Sequence, residues 1–434
     1  MKLYLSVSTA LCCFVVALAF ARHPNPTAAE DYYDLGGYHY GVTTGSPEAQ
    51  RWFDRGLAMC HGFNHEEAVR CFERAIEADP GMAMAYWGMA YAWGPNINNM
   101  EIEPWQIAQA ELAARLAQLH GGGCTPLEQA LIDALAKRYA APVPEDRDPL
   151  NRAYADAMRD VYSEHQEDPL AATLFAESLM NLQPWRHWSP EGTAGPHTAE
   201  IVEVLEAGLA RWPDHPALCH FYIHAQEASP HPEKALAAAN QLRDAMPGQG
   251  HLVHMPSHID IWIGDYPAAI LANQKAIKAD AEFLRREGPL NFYSLYRIHN
   301  YLFLLYAAMF HGQRQLALQM ARGLEKQVPE EMVRAQVDFL DAFMPTDLHV
   351  LVRFGRWEDI LKEPQPADYL PMSRSIWHYA RALAYAATDR VDQAEAEQQS
   401  FEEAMEAVPE TSYLCQNPSP HSARVAEARH ARGR

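Results

Sequence analysis

The sequence predicts an all-α protein, a right-handed superhelical solenoid of stacked helix-turn-helix units. Three observations predict it. Equivalent packing positions recur every 34 residues, Ala-, Leu- and Glu-rich segments carry apolar residues three and four apart, and prolines or glycines punctuate the chain between segments. β-branched runs and Asn-Gly hairpin signals are scarce. At 434 residues, 48% hydrophobic and 21% charged, the composition is that of a soluble globular chain and excludes disordered, collagen-like and disulfide-scaffold classes. With 35 Lys+Arg against 56 Asp+Glu the formal charge is -21, which repels a phosphate backbone, so no nucleic-acid partner is expected.

At the N-terminus, Lys2 precedes an apolar run over 11–20 that closes in Ala19-Phe20-Ala21 before Arg22. This is the pattern of a secretory signal peptide, assigned to 1–21, and it predicts a periplasmic or secreted protein. The run is too short to span a bilayer and no later stretch is long and uncharged enough, so no membrane span is expected. Thr9-Ala10-Leu11-Cys12 loosely resembles a lipoprotein site, but Leu11 stands where a small residue is needed. A lead-in follows over 22–46, then the solenoid over 47–409, then a flexible tail over 410–434. Five cysteines lie beyond the signal (Cys60, Cys71, Cys124, Cys219 and Cys415), an odd and widely spaced set with room for one pair and no disulfide framework.

The first unit, 49–82, carries Trp52, Gly56, Ala68, Phe72, Ala75 and Pro80 at places 4, 8, 20, 24, 27 and 32. Small residues at 8, 20 and 27 let two helices approach, aromatics at 4 and 24 fill the gap, and proline at 32 ends the second helix. Further units are expected over about 83–120 (Tyr86, Ala90), 216–249 (Ala235, Ala239, Pro247), 250–283 (Ala269, Ala276), 298–331 (Tyr301, Ala317, Ala321, Pro329) and 375–408 (Ala382, Ala394, Phe401). Between them, 104–119, 126–139, 149–165, 170–181 and 198–212 read as helices off the consensus. Stacking such pairs gives a concave face lined by the first helix of each pair.

These positions, with segments such as GFNHEEAVRCFERA, YAWGPNINN, FYIHAQEASPHPEKALAAA and GHLVHMPSHI, make the chain resemble the tetratricopeptide-repeat family, in particular a bacterial exported subgroup, over roughly 36–405. The resemblance implies a scaffold whose concave groove holds a protein, peptide or small-molecule ligand. It also implies that places 2, 5, 9 and 12 of each first helix face that ligand. It implies no particular activity.

The chain has 21 histidines, and nine of them fall between His187 and His258. In repeat coordinates His220 and His254 share place 5, and His224 and His258 share place 9. His251 and His299 stand at place 2 of their units and Glu227 at place 12. Helix geometry puts His220, His224 and Glu227 on one face, and His251, His254 and His258 on another. Neighbouring helices lie about 8–10 Å apart, so these imidazoles can converge on one or two metal ions. Nitrogen ligands with a carboxylate suit copper, zinc or iron rather than calcium or magnesium. The same stripe also suits peptide or small-ligand contact, or structure alone. Pro256, at place 7, either kinks its helix or marks a helix start near Met255, with His251 and His254 on the approach. Met255 is a further soft donor for copper, or a core residue.

Other candidates for the groove are Trp87, Tyr91 and Trp93, with Asn96 and Asn98 in the loop that follows, and the pair His61 and His65. Asn64 before Glu66-Glu67 looks like a helix cap. The zincin pattern begun by His65-Glu66 fails, because Val69 stands where its second histidine belongs. Pro184-Trp185-Arg186-His187-Trp188 is either a lid or a packed corner. No G-x-S-x-G, Walker or Rossmann pattern occurs, so no nucleotide cofactor is expected. Two functional classes compete with a metal-holding scaffold: a metal-dependent oxidoreductase or hydrolase, and a metal-free peptide-binding adaptor.

Overall fold

The computed structural model describes residues 32–100, 102–414 and 417–418. The signal peptide, the lead-in up to residue 31 and the tail beyond residue 418 lie outside the described residues. The regular secondary structure of the described residues is helical, apart from two isolated bridges and one short antiparallel pair, Tyr413–Leu414 with Asn417–Pro418, at the start of the expected tail. No described helix is long and apolar enough to cross a membrane. Cys60, Cys71, Cys124 and Cys219 are free thiols.

The chain divides into two compact units, with the division at residues 282 and 283. The first unit begins with α1 (Pro47–His61) and α2 (His65–Ala78). Ser46 caps α1 by accepting from the Ala49 amide, with Pro47 preset for the first turn. Asn64 caps α2 by accepting from the Glu67 amide at 3.3 Å, and the acidic Glu66 and Glu67 suit the positive end of the helix. There follow α3 (Ala83–Ala92), α4 (Pro104–His120), α5 (Pro126–Ala136), α6 (Asp148–Glu164), α7 (Pro169–Asn181), α8 (Thr198–Arg211), α9 (Pro216–Gln226), α10 (Leu236–Leu242), α11 (Gly250–His254), α12 (Pro256–Ile263) and α13 (Tyr266–Glu287), whose last turn lies past the division. From α1 to α10 each helix packs on the next in chain order, as a repeat array requires.

The sequence does not announce how this unit closes on itself. Helix α9 packs on α1 and α7 as well as on its neighbours. The Gln249 amide donates to the Ala58 carbonyl at 2.9 Å, and the Gly248 amide donates to Asp34 of the lead-in at 2.6 Å. Every residue of α9 is buried, and every residue of α7 after Pro169. A helix buried all round is a core helix, so the face expected to line an open groove is, in this unit, filled by its own side chains. The Pro256 kink separates α11 from α12 while Met255 between them keeps right-handed helical angles, so the first of the two readings of Pro256 holds.

The second unit contains α14 (Ser294–Phe310), α15 (Arg314–Gln327), α16 (Glu330–Ala335), α17 (Val337–Leu340), α18 (Thr346–Arg353), α19 (Trp357–Ile360), α20 (Pro371–Ala387) and α21 (Val391–Glu406). The expected units at 298–331 and 375–408 appear as the packed pairs α14 with α15 and α20 with α21. Asp347, in the first turn of α18, is buried, and its carboxyl is pushed up to about 6 by burial and the nearby Glu363 charge, against Arg322 and backbone donors. An acid raised by folding binds more protons folded than unfolded, so its contribution falls as pH rises from its unfolded value through about 6. Asp347→Asn is therefore expected to raise stability by up to about 2 kcal/mol at roughly pH 8 and by little at roughly pH 4. Urea unfolding at both pH values checks this, and equal gains would sink it.

Candidate metal centre

Helix α9 delivers His220 and His224 one turn apart, and the kinked α11–α12 segment delivers His251, His254 and His258. All five are buried, His220 and His254 completely. The ring nitrogens of His220, His224 and His251 lie within 4.8 Å of one another. His220 and His251 meet Nε2 to Nε2 at 3.1 Å, and His254 and His258 meet the same way at 2.9 Å.

The opposite nitrogens explain why these edges face inward. His220 Nδ1 lies 2.7 Å from the His61 carbonyl, which can only accept, so Nδ1 carries the proton. His224 Nδ1 and His258 Nδ1 lie 2.6 and 2.5 Å from the two oxygens of Glu227, which fixes the same tautomer in both rings. His254 Nδ1 lies 2.7 Å from Asn273 Oδ1, and the Asn273 amide is oriented by donating to the Ala269 carbonyl at 2.8 Å. Four imidazoles thus hold their protons outward and present Nε2 lone pairs inward. His224 Nε2 is buried with no hydrogen-bond partner.

Two lone pairs cannot hydrogen-bond to each other, so the His254 and His258 nitrogens, 2.9 Å apart, form a repulsive contact that a cation between them would relieve, whereas at 3.1 Å a His251 Nε2–H can donate to the His220 lone pair. An added proton is disfavoured at the first subsite. Burial, with the neighbouring His224 charge, holds His220 well below the usual imidazole range, and burial lowers His224 despite the opposing pull of Glu227. A metal bound at about 2.0–2.1 Å would hold its nitrogens roughly 2.9 Å apart at a right angle and roughly 3.4 Å apart at the tetrahedral angle. Both observed separations fall in that interval. Histidine ligands donating their other ring N–H to a carbonyl, carboxylate or amide form the outer-shell pattern of metal sites.

Three further candidates have these places. Glu227 is placed as an outer carboxylate shared by two rings, since both of its oxygens are taken by ring N–H groups. Burial would raise its carboxyl, but the His258 charge and the two ring hydrogen bonds outweigh that and hold it well below the usual range. His299 belongs to the second unit, on α14, with its ring 4.5 Å from that of Phe303. Met255 is fully buried between α11 and α12.

Of the groove candidates, Trp87, Tyr91, Asn96 and His61 are buried, while Trp93, Asn98 and His65 are half-buried. Trp87 is buried and donates to the Leu131 carbonyl, and Tyr91 is buried and donates to Glu177. Trp93 packs edge-on against Trp105. Buried Asn96 stands 3.4 Å from His65 Nδ1, and the Asn98 amide donates to Asn96 in the same turn. His61 and His65 do not share a helix face, because His61 ends α1 and His65 starts α2. His61 Nε2 is bonded to the Tyr38 hydroxyl at 2.8 Å, while the His61 carbonyl braces His220.

Sequence reasoning missed two contributors, Phe63 and Asn273. Phe63, in the α1–α2 turn at φ 56°, lays its ring 4.6, 5.9 and 5.3 Å from the rings of His220, His224 and His251 and walls the site. Asn273, a fully buried amide, stands at place 24, where equivalent units carry Phe72 and Ala239, and that polar intrusion was the available signal. His187, buried, accepts from Gln183 Nε2 at 3.2 Å. Burial and the His224 charge push its pKa down to about 4 against Glu227.

No family model and no curated protein matches this chain. Among solved structures it is similar to the human IFIT1 dimer with PPP-AAAA (13% identity, 82% of this chain and 72% of that one, TM-score 0.41). It is also similar to yeast Tom70 (12%, 89% of each chain, 0.28) and to the P58(IPK) TPR domain (14%, 82% and 92%, 0.21). Similarity at these levels transfers no function, so what this chain does rests on its own helix pairs and histidines.

Proposed function

We propose that this chain is an exported transition-metal-binding protein. It takes copper, zinc or iron at His220, His224 and His251, with His254 and His258 forming an adjoining nitrogen pair. One observation carries the reading: inward Nε2 atoms approach to 3.1 and 2.9 Å while the opposite ring nitrogens of His220, His224, His254 and His258 are anchored outward. The apolar signal-like run over 11–20 supports loading outside the cytoplasm. A metal-dependent enzyme is the second reading. Three protein nitrogens at the first subsite would leave a coordination position open, as catalytic sites do and closed structural sites do not.

The test is metal analysis of the untagged chain, stripped with chelator and reloaded separately with each metal. Metal should survive gel filtration in stoichiometric amount. The loaded protein should gain about 2.7 kcal/mol of stability when free metal is about a hundred times the dissociation constant. A chain that retains no metal and melts identically with and without it refutes the proposal.

A further inference from the structure

We propose that a cavity beside the histidine centre binds a small planar aromatic molecule bearing an anionic group, and that Trp185 couples its occupancy to the centre. The cavity half of this proposal stands alone, and the coupling half rests on the metal reading. The cavity measures about 920 Å³ and lies within the first unit, between the loop at 185–195, the turn at 228–230 and Trp262. That volume suits a drug-sized molecule.

Three indoles wall it. Trp188 is fixed, with Nε1 donating to the Ala225 carbonyl at 2.7 Å. Trp185 and Trp262 are 54% and 63% exposed, an unusual amount of indole to leave in water on two neighbouring walls. Trp185 also sits at φ 58°, a conformation that bulky residues rarely adopt. The loop that holds it there is braced by its own hydrogen bonds, from the Gly195 amide and the Thr198 hydroxyl to the His187 carbonyl and from the Ser189 amide to the Thr193 carbonyl. A braced loop that projects an indole in a strained conformation fits a binding platform better than a surface turn.

The lining narrows the occupant. The Ser189 hydroxyl already accepts from the Glu191 and Thr193 amides, and the Ser229 hydroxyl from the His231 amide. The exposed Glu191 carboxylate and the Thr193 hydroxyl also line the cavity, so the choice of an aromatic occupant over a polyhydroxylated one rests on the indole faces, with the exposed Arg186 as the partner for its anion. The indole that borders the cavity also meets His224 edge-on, with centroids 5.4 Å apart at 86°. A molecule stacked on Trp185 therefore presses on a ring whose Nε2 points into the centre.

The experiment uses the full chain with 4-nitrobenzoate as the aromatic anion and methyl glucoside as the polyhydroxylated control. Equilibrium dialysis of the metal-free protein should give saturable binding of 4-nitrobenzoate, weakened about tenfold or more by Trp262→Ala and by Trp185→Ala. Trp262 is mostly exposed and outside the centre, so its truncation should keep the native circular dichroism. No saturable binding, binding untouched by both substitutions, or tighter binding of the glucoside overturns the cavity assignment. In copper-loaded protein, saturating 4-nitrobenzoate should shift the visible absorption of the metal, and the shift should vanish in Trp185→Ala. An unshifted spectrum at saturation overturns the coupling. A chain that takes no metal but binds the probe fails the metal reading and the coupling alone.

Discussion

Replacing Glu227 by glutamine is expected to weaken metal binding about 10- to 100-fold while the helical fold persists, because one side chain orients two imidazoles. Each Glu227 oxygen accepts one ring proton, from His224 at 2.6 Å and from His258 at 2.5 Å. A glutamine has the same shape but only one acceptor, and its amide protons face the other ring. That ring must then carry its proton on Nε2, which points into the centre and removes a lone pair from the donor set. The loss should appear in competition with a chromophoric chelator and in the ligand-field spectrum of a cobalt-substituted sample. Glu227→Asp, which restores a second acceptor, should recover part of both. A merely structural role would lower the melting temperature of metal-free and metal-loaded protein alike and leave the spectrum unchanged. Equal chelator competition by wild type and Glu227→Gln would remove Glu227 from the site.

Local packing was legible in the sequence, and long-range closure was not. Helices expected over 104–119, 170–181 and 198–212 appear as Pro104–His120, Pro169–Asn181 and Thr198–Arg211, since proline starts and apolar spacing are local signals. The duplicated place-5 and place-9 histidines were also legible, because a fixed repeat converts spacing into direction. The meeting of α9 with α1, which puts the His61 carbonyl on His220 across 159 residues, has no periodic trace. Without it Trp87 and Tyr91 look like groove residues, and with it they are core. Phe63 offered no signal, because its role depends on a left-handed turn that its residue type does not announce.

Gly88→Ala is expected to destabilise the wild-type chain and to stabilise a Phe72→Ala chain, a reversal of sign that follows from one ring held between two helices. An added Cβ at Gly88 on α3 would stand 2.4 Å from the nearest Phe72 ring carbon, and one at Gly56 on α1 would stand 2.6 Å from the same ring. Neither methyl can be accommodated by moving the ring away, because the ring then meets the other helix. Phe72 is fully buried. Overpacking of this kind costs about 1–3 kcal/mol or more, against a gain of about 0.8–1.0 kcal/mol when alanine replaces glycine inside a helix. The gain cannot offset a contact more than half an ångström inside the closest approach that real Cβ atoms make. Phe72→Ala alone should cost about 3–5 kcal/mol by opening a cavity between α1, α2 and α3. In that background the methyl at residue 88 enters empty space and only the helical gain remains, so the second substitution should recover about 1 kcal/mol. Urea unfolding of the four chains in a double-mutant cycle measures the coupling. If Gly88→Ala shifts the midpoint in the same direction whether or not the ring is present, then the contact across Phe72 is not what requires glycine in α3.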